Sequence, residues 1–466
     1  MAPVRSRRVA AVSVAAALYA ASRPTAAAAA DFSVQQDILH VQLLALKKGC
    51  GSGGCMDETA TALRDVGCES IKGFPTLSMM RARCPPPEGG LSAQADLSSL
   101  PNVVAVVDDF VVETSVPINE VSDLDEAATR QVITGGIRGY WGLDRIDQRA
   151  LPLDGSYTYD CFPSAGAGVD VFVLDTGCRS SHEQFAGRAS SVFASSASAG
   201  GGRSRNAADG NGHGTHCAGT VGGVESGVAK AATLRCIKVL SDRGSGSFSD
   251  ILAGIEEVAA FKAAAPTTRK VVMSMSLGGR ARGRRSAEDT AVDRAAELGV
   301  IPVVAAGNSA IDACSFTPAR ADSAITVANG DYNDAVARSS NTGECVDVIA
   351  PGTQILSADA RSDTGLRFLS GTSMAAPHVS GIVALLLGDR ADGASLKSTD
   401  VKRLLTRGAP VVGGYALGYV AGGCRTKPGP TPDNGRDTVP VTPTPSPSPT
   451  PERRSRLPSW WLDLFQ

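Results

Sequence analysis

The stretch Val169-Asp-Val-Phe-Val-Leu-Asp175-Thr-Gly177 decides how the larger part of the chain folds. Its apolar run is nearly continuous, which is typical of a strand that is buried on both faces of a sheet. The run ends in a carboxylate, and parallel sheets place their reactive groups at the carboxyl ends of the strands. The stretch therefore predicts a buried strand that delivers Asp175 to a functional edge of a sheet.

Similar short apolar runs recur along the chain, and segments with helical periodicity separate them. The apolar runs cover residues 169–174, 234–240, 271–277, 300–305 and 324–327, and the helical segments cover residues 249–264 and 287–298. Strands that alternate with helices indicate an α/β fold, because parallel strands need crossover connections. We therefore predict a domain over residues 138–424 whose mostly parallel sheet has helices on both faces.

The composition is that of an ordinary globular protein and sets few further limits. The chain has 466 residues, of which 43% are hydrophobic and 20% are charged, and its formal net charge is −2. This balance gives no electrostatic reason to expect nucleic acid or an anionic membrane as a partner. After the N-terminal leader, no stretch reaches the ~20 apolar residues that span a bilayer, so we expect no transmembrane segment.

The first 30 residues have the order of a secretory signal peptide. Arg5, Arg7 and Arg8 precede an apolar run over residues 9–21, and small residues continue to Ala30. An organelle transit peptide is the alternative, because arginine and serine are present and acidic residues are absent. The chain has 11 cysteines, which fits an oxidising compartment. We expect cleavage after residues 1–30 and a secreted, extracellular protein.

The sequence predicts a small folded unit and a linker before this domain, and a tail after it. Residues 31–118 form a small α+β unit in which residues 39–43 alternate like a half-buried strand, residues 57–66 are helical and residues 103–112 form a valine-rich strand. The polar residues 119–137 are typical of a linker. Residues 425–466 are rich in Pro, Thr and Ser and end in a Trp-rich segment, which indicates a flexible tail or a docking peptide.

Two further segments place reactive side chains where an α/β sheet would gather them. Asp209-Gly-Asn-Gly-His213 is a glycine-rich loop that leads to a histidine, and in Gly371-Thr-Ser373 a serine stands at the start of a helix. A serine hydroxyl needs a general base within reach and a group that orients the base. The N–H of Ser373 and the carboxamide of Asn308 would together suit an oxyanion.

The pair His213 and His216 also allows a metal site, which is the alternative to a general base. The pair lacks the spacing of a His-Glu-x-x-His motif, and no glutamate base stands between the two histidines. We therefore favour nucleophilic catalysis by a serine over metal chemistry, and we expect no catalytic cofactor.

Together the motifs resemble the subtilisin-like serine proteases, most closely the proteinase K branch. The resemblance rests on Asp175-Thr-Gly, Gly212-His-Gly-Thr-His-Cys-Ala-Gly-Thr and Gly371-Thr-Ser-Met-Ala-Ala-Pro-His, in that order. It implies a serine endopeptidase that works through an acyl-enzyme, in which Ser373 attacks, His213 carries the proton and Asp175 holds the imidazole. It also implies that Asn308 and the Ser373 N–H bind the oxyanion.

The resemblance further implies how a substrate is held and what the N-terminal unit does. Two segments would pair with an extended peptide, namely Gly244, Ser245 and Gly246, and Ser276, Leu277 and Gly278. Residues 31–118 would be an inhibitory propeptide, and a cut within linker 119–137 would mature the zymogen. Four cysteines and a Pro-rich insertion at residues 85–87 depart from the family's pattern in this unit.

A structural calcium site and two cysteine assignments follow from the same resemblance. Asp347 matches a calcium-binding aspartate of the family, with the backbone carbonyls of Asp322 and Ala324 as companions, and calcium prefers oxygen ligands. Cys314 and Cys345 match a disulfide of the proteinase K branch. Cys217 matches a free buried cysteine of that branch.

The expected partners are polypeptide substrates and the chain's own propeptide, and we expect a monomer. Two other functions stay open at this stage. The first is a binding protein that keeps the fold without activity, although such relatives usually lose a catalytic position and every one is filled here. The second is a processing convertase anchored by its tail, although the motifs differ from the kexin–furin branch.

Overall fold

The computed structural model of the protein describes residues 41–51, 54–85, 97–114, 139–195, 208–281 and 286–420. The predicted signal peptide, the linker at 119–137 and the tail at 425–466 lie outside these ranges. We refer to residues 41–114 as the N-terminal unit and to residues 139–420 as the sheet domain. In the described ranges, no helix combines the length and the apolar character that crossing a membrane requires.

The strands and helices of the described ranges are numbered in chain order. The strands are β1 (Val41–Leu46), β2 (Glu69–Phe74), β3 (Met79–Arg83), β4 (Val103–Asp108), β5 (Val111–Thr114), β6 (Val169–Asp175), β7 (Ala189–Ala194), β8 (Thr233–Lys238), β9 (Ser245–Ser247), β10 (Lys270–Met275), β11 (Leu277–Arg280), β12 (Val300–Ala305), β13 (Phe316–Thr317), β14 (Ile325–Gly330), β15 (Val348–Pro351), β16 (Ile355–Ala358), β17 (Leu366–Leu369), β18 (Val411–Val412) and β19 (Tyr415–Leu417). The helices are α1 (Gly54–Asp65), α2 (Trp141–Asp147), α3 (His213–Gly222), α4 (Phe248–Ala264), α5 (Ala287–Glu297), α6 (Thr372–Gly388) and α7 (Ser398–Thr406).

The sheet domain is built on one long sheet with the strand order β18-β19-β15-β14-β12-β10-β6-β8-β7. Its neighbouring strands run parallel except for β18 and β19, which pair antiparallel at one end. The strand that contains Asp175 therefore lies inside the sheet, between β10 and β8. The mostly parallel sheet that the sequence predicts is confirmed.

Both faces of this sheet are covered, as the continuous apolar run of β6 requires. Val171 and Val173 belong to a cluster of buried side chains that includes residues of α3 and α6. Phe172 and Leu174 point to the opposite face and belong to a second cluster that includes residues of α4 and α5. The predicted arrangement of helices on both faces is therefore confirmed.

The N-terminal unit is a four-stranded antiparallel sheet, in the order β2-β3-β1-β4, with helix α1 on one face. Disulfides join Cys50 to Cys55 and Cys68 to Cys84 within this unit. The predicted α+β character is confirmed, but the half-buried strand at residues 39–43 is not. In the described part of that segment all of β1 is buried, because Leu44 packs towards α1 while Leu43 joins the cluster with α4 and α5.

The predicted single strand over residues 103–112 is wrong, because the chain breaks it after β4. At the break, Asp109 Oδ1 accepts the N–H of Ser249, in the first turn of α4, at 3.0 Å. Buried N–H groups at a helix start need such an acceptor. Strand β4 remains in the four-stranded sheet of the N-terminal unit, whereas β5 leaves that sheet and pairs with β9 and β11 of the sheet domain.

The cysteine assignments of the sheet domain are confirmed and extended. Cys314 and Cys345 form a disulfide, and Cys217 is a free buried thiol. A further disulfide joins Cys178 to Cys236, for which no pairing was predicted. Because Cys178 stands three residues after Asp175, this disulfide holds the turn at the end of β6 against β8.

Candidate active site

Asp175 ends strand β6 and is fully buried at the carboxyl edge of the long sheet. Its Oδ1 lies 2.7 Å from Nδ1 of His213 and accepts the N–H of Thr176 at 2.7 Å. The fold thus brings two of the predicted catalytic residues into direct contact. The contact fixes which ring nitrogen of His213 faces the carboxylate, and it leaves Nε2 for other chemistry.

His213 is the first residue of helix α3, and glycines on both sides allow this placement. Gly212 has a φ of 101°, in the left-handed region that favours glycine. A Cβ atom at Gly214 would collide with the backbone oxygen of Gly177, so only glycine lets the helix start approach the end of β6 this closely. The glycines that flank His213 in the motif therefore position its imidazole.

Asp209 organises the loop that carries His213, and sequence reasoning assigned it no role. Its Oδ1 accepts hydrogen bonds from Thr176 Oγ1 at 2.9 Å and from the backbone N–H groups of residues 211 and 212 at 3.0 and 2.8 Å. Its Oδ2 accepts the N–H and the Oγ1–H of Thr215 at 2.9 and 2.6 Å. One carboxylate therefore ties the turn after Asp175 to both sides of His213.

The electrostatic surroundings distinguish His213 from its neighbours. Burial acts to lower the pKa of His213, but the Asp175 carboxylate outweighs it and holds that pKa well above 6.5. Burial lowers the pKa of His216 to about 3 and that of His378 to about 4, so both stay neutral. Of these three histidines, His213 is the one equipped to accept a proton near neutral pH.

The alternative metal site at His213 and His216 does not fit the described geometry. His216 Nε2 turns away and lies 2.9 Å from the backbone oxygen of Ile355. Asp175, His213 and Cys217 do bring one donor atom each within 4.8 Å of one another. Burial raises the pKa of the Cys217 thiol, however, which works against the thiolate that a metal would need.

Ser373 is the second residue of helix α6 and is fully buried. It follows Gly371, whose φ is 141°. The Ser373 hydroxyl donates to the backbone oxygen of Ser276 at 3.2 Å, and His213 Nε2 has no hydrogen-bond partner within the described ranges. Cys217 contacts both His213 and Ser373, because its Sγ lies 3.8 Å from His213 Nδ1 and 3.4 Å from the Ser373 backbone oxygen.

Asn308 lies beside the same helix start, just after strand β12. Its Oδ1 accepts the N–H of Thr372 at 3.0 Å, which fixes the plane of the carboxamide. The amide Nδ2 lies in the same plane, bonded to Cγ beside Oδ1. The fold therefore gathers Asn308 and the backbone N–H of Ser373 at one end of α6, as an oxyanion site requires.

The two predicted substrate-pairing segments lie on either side of an extended strand, which is β5 of the N-terminal unit. On one side β5 pairs antiparallel with β9, with Glu113 opposite Ser245 and Val112 opposite Gly246. Gly244 accepts the N–H of Thr114 at 2.8 Å through its backbone oxygen.

On the other side β5 pairs antiparallel with β11. Thr114 stands opposite Leu277 and Glu113 stands opposite Gly278. The segments around residues 244–246 and 276–278 thus form two strand edges with an extended chain, β5, paired between them. Backbone hydrogen bonds of this kind accept many sequences, because they do not depend on side chains.

Two charged side chains of the sheet domain hold the rest of the N-terminal unit. Glu256 on α4 accepts the backbone N–H groups of Thr76 and Leu77 at 2.9 and 3.0 Å. Arg294 on α5 donates to the backbone oxygens of Leu77 and Ser78, each at 2.6 Å. Charge-assisted hydrogen bonds to a single turn of backbone make this a specific contact.

Two of the three predicted calcium ligands contact a side chain of the protein itself. Lys402 Nζ lies 3.0 Å from Asp347 Oδ2 and 3.4 Å from the backbone oxygen of Asp322. Asp347 Oδ2 also accepts the N–H of Thr326 at 2.9 Å. Asp347 and the backbone oxygen of Asp322 therefore both contact one ammonium group, that of Lys402. Sequence reasoning missed Lys402 because it is on helix α7, which no motif connects with Asp347.

The chain is similar in sequence to known proteins. The sequence model of one protein family, described as the "Subtilase family", matches residues 166–439. An "Extracellular serine proteinase" of Thermus sp. (strain Rt41A) is 48% identical over 247 residues, which are 53% of this chain and 56% of that protein. An "Alkaline serine exoprotease A" of Vibrio alginolyticus is 45% identical over 265 residues, which are 57% of this chain and 46% of that protein.

A solved structure is also similar. It is the crystal structure of a cold adapted subtilisin-like serine proteinase, with 40% sequence identity and a TM-score of 0.54, and the match covers 62% of this chain and 98% of that one. By contrast, the chain spans only about half the length of the two curated relatives, with 56% and 46% of their lengths covered.

Proposed function

Because this chain belongs to the subtilase family, we propose that it is a serine endopeptidase that works through Asp175, His213 and Ser373. One observation carries the proposal. The buried contact of 2.7 Å between Asp175 and His213 raises the proton affinity of the imidazole. Cys217 Sγ lies 3.8 Å from Nδ1 of that imidazole and 3.4 Å from the backbone oxygen of Ser373. A serine nucleophile needs such an oriented base, since its hydroxyl is otherwise unreactive.

The reaction would start with a rotation of the Ser373 side chain. Its hydroxyl now donates to the backbone oxygen of Ser276, so it must turn to donate to His213 Nε2 instead. Ser373 Oγ then bonds to the carbonyl carbon of the substrate while His213 takes the hydroxyl proton. Asp175 stabilises the imidazolium that forms, because it accepts the hydrogen on Nδ1.

The carbonyl oxygen becomes negatively charged as the Oγ–C bond forms. The N–H of Ser373 and the Asn308 carboxamide would donate to it, the first with the field of helix α6 behind it. When the carbonyl re-forms, the C–N bond breaks and His213 gives its proton to the leaving amine. Water then repeats the same steps on the acyl-enzyme, with His213 again as the base.

Substrates would bind as an extra strand between the edges at residues 244–246 and 276–278. Strand β5 supports this assignment, since it occupies that place with antiparallel pairing on both sides. Because the pairing uses backbone groups, we propose polypeptides of varied sequence as substrates. A substrate would need to lie extended over several residues, which favours cleavage within chains over removal of single terminal residues.

The N-terminal unit would act as an inhibitory propeptide, because β5 fills the groove that a substrate needs. The register also suggests where the first cut falls. Thr114 pairs with Leu277, and Ser276 precedes Leu277 and contacts the Ser373 hydroxyl. If the antiparallel register continued by one residue beyond Thr114, the bond after Ser115 would lie opposite Ser276, whose backbone oxygen accepts the Ser373 hydroxyl. We therefore propose that maturation begins at the bond between Ser115 and Val116, just before the linker 119–137 in which the sequence predicts the cut.

We also propose that the protein is secreted. The N-terminal residues 1–30 have the order of a signal peptide, although they lie outside the described ranges. Four disulfides are present among the described residues, and disulfides persist in oxidising compartments. One of the similar proteins is itself named extracellular.

The test is to express the full chain beside Ser373→Ala and to follow the mass of the secreted product. We expect the parent to lose its N-terminal unit at the bond after Ser115 and the variant to stay whole. The parent should also digest casein and react with a serine-directed phosphonate. Asp347→Asn serves as a matched control, because it changes a carboxylate that is remote from the catalytic contacts.

The possible outcomes separate the candidate functions. If both chains stay whole after folding and the phosphonate does not react, the protein is a binding protein and the proposal is overturned. If both are clipped alike, another protease matures the chain, and the casein and phosphonate assays decide the activity. A parent that cuts itself but leaves casein intact would be a selective convertase.

A further inference from the structure

The cation at the predicted calcium site belongs to the chain itself. Lys402 projects from helix α7, and its Nζ lies 3.0 Å from the carboxylate of Asp347 and 3.4 Å from the backbone oxygen of Asp322. Helix α7 is held firmly, because Val401 and Leu405 are 0% and 2% exposed. The ammonium group is therefore placed by a packed helix, and it is not on a free surface tail.

The same oxygens do not fit a calcium ion while Lys402 is there. Calcium takes about six to eight oxygen ligands at about 2.3–2.6 Å. Asp347 Oδ2 is already used twice, by Lys402 and by the N–H of Thr326 at 2.9 Å. An ion bound to Asp347 and to the Asp322 carbonyl would lie next to the ammonium group, and the two positive charges would repel each other.

The charges also balance without a metal ion. Asp347 and Lys402 contribute one negative and one positive charge, and each side chain is 23% exposed, so water screens the pair only in part. The pair connects α7 with the turn before β14, which contains Asp322, and with the turn before β15, which contains Asp347. A calcium ion on these ligands would connect the same two turns but not the helix.

We propose that the Lys402 ammonium group takes the place of calcium, so that Asp347, Asp322 and Ala324 bind no metal ion in this chain. The site is thus a permanent, metal-independent cross-link between α7 and the two turns. Removal of Lys402 turns it into a calcium site, because the Asp347 carboxylate and the Asp322 carbonyl are then left without a cation. This inference does not depend on the proposed protease activity.

The test measures bound calcium in the full chain with Ser373→Ala, which prevents self-digestion. We compare the parent, D347N, K402M and the double variant K402M/D347N after gel filtration in calcium buffer. Other carboxylates, such as those of Asp144, Asp147 and Asp154, which lie close to one another, would hold the same amount of calcium in every variant. The result is therefore the difference in bound calcium between the proteins. K402R serves as a matched control that keeps the positive charge.

We expect the parent, D347N and K402R to bind equal amounts of calcium. K402M should bind about one ion more, and the double variant should lose that ion again. At a calcium concentration of about 100 times the dissociation constant, the extra ion should raise the unfolding midpoint of K402M by roughly 5 °C relative to chelator.

Two results would overturn the proposal. If D347N binds about one calcium ion less than the parent, calcium and Lys402 share the site in the unmodified chain. If K402M folds but gains no calcium, Lys402 is not what excludes the ion. Should K402M fail to fold, the comparison of the parent with D347N still decides whether the unmodified site holds calcium.

Discussion

Asp175 and Asp347 each pair with a basic side chain, but water reaches the two pairs to different extents. In the first pair the carboxylate is 0% and the imidazole 3% exposed, and the atoms are 2.7 Å apart. In the second pair both side chains are 23% exposed, and the atoms are 3.0 Å apart. Because water screens charge, a contact of similar length has a larger effect where it is buried. Burial thus lets the first pair tune a proton affinity, while the second pair joins segments of the chain.

Replacing the aspartate by asparagine in each pair should give the largest difference in activity between the two. Asp175→Asn should lower kcat/KM by about 10⁴-fold, because the imidazole loses its orientation and its countercharge. Asp347→Asn should change kcat/KM by less than about threefold, since a partly exposed pair contributes little. Hydrolysis of a peptide substrate, normalised to the amount of folded protein, measures both. Equal losses in the two variants would contradict the assignment of Asp175.

The pH dependence should show the effect of burial on His213 directly. The imidazole accepts a proton only when it is neutral, and Asp175 holds its pKa well above 6.5 against the opposing effect of burial. The rate should therefore fall about tenfold for each pH unit below that pKa, and it should be half-maximal above pH 6.5. In Asp175→Asn the half-maximal point should move towards acid pH. A profile with the same half-maximal pH in both proteins would rule out the coupling of Asp175 and His213.

The contacts of the N-terminal unit also include one partly buried carboxylate, Glu256, and one exposed ion pair, Lys48–Glu297, and the difference in effect should be smaller. Glu256→Gln should weaken inhibition by the cleaved N-terminal unit about tenfold, because two backbone N–H groups lose a charged acceptor. Glu297→Gln is the matched control, since its ion pair with Lys48 has side chains that are 50% and 77% exposed. We expect the control to change inhibition by less than about twofold. Activity after self-cleavage, followed over a range of total protein concentrations, measures both.

The smallest effect is expected for Lys402. In chelator, K402M should lower the unfolding midpoint of the Ser373→Ala chain by about 2–4 °C, because a partly exposed pair contributes on the order of 1 kcal/mol. Added salt should reduce the difference, since it screens the pair that is lost. Calorimetric scans at low and high salt provide the measurement. A difference above about 10 °C would mean that this pair behaves like a buried one.

The central features of the fold were predictable because they depend on local sequence. The run that predicts a strand over residues 169–174 is observed as Val169–Asp175, and it lies inside a parallel sheet as its apolar character requires. The contact between Asp175 and His213 was predictable only from the family resemblance. Nothing in the spacing of the two residues gives their distance.

Features that depend on distant packing were not predictable. Strand β1 has an alternating pattern, yet its second face packs against the cluster that contains α4 and α5, which lie far along the chain. The same reason applies to Lys402, because the packing of its helix, and not sequence spacing, brings it to Asp347. Asp209 stands within the quoted motif, but the number of N–H groups that reach its carboxylate depends on the turn of the loop.

The position of strand β5 has a further consequence for how activity would begin. While the chain is continuous, β5 cannot leave its groove for long, because its covalent tether gives it an effective concentration on the order of millimolar. Cutting the bond after it removes the tether without removing any contact in the two ladders. From then on, the fraction of grooves that are occupied depends on the protein concentration. Dilution of the secreted protein would then act as the switch, and a crowded precursor would remain silent even after it is cut.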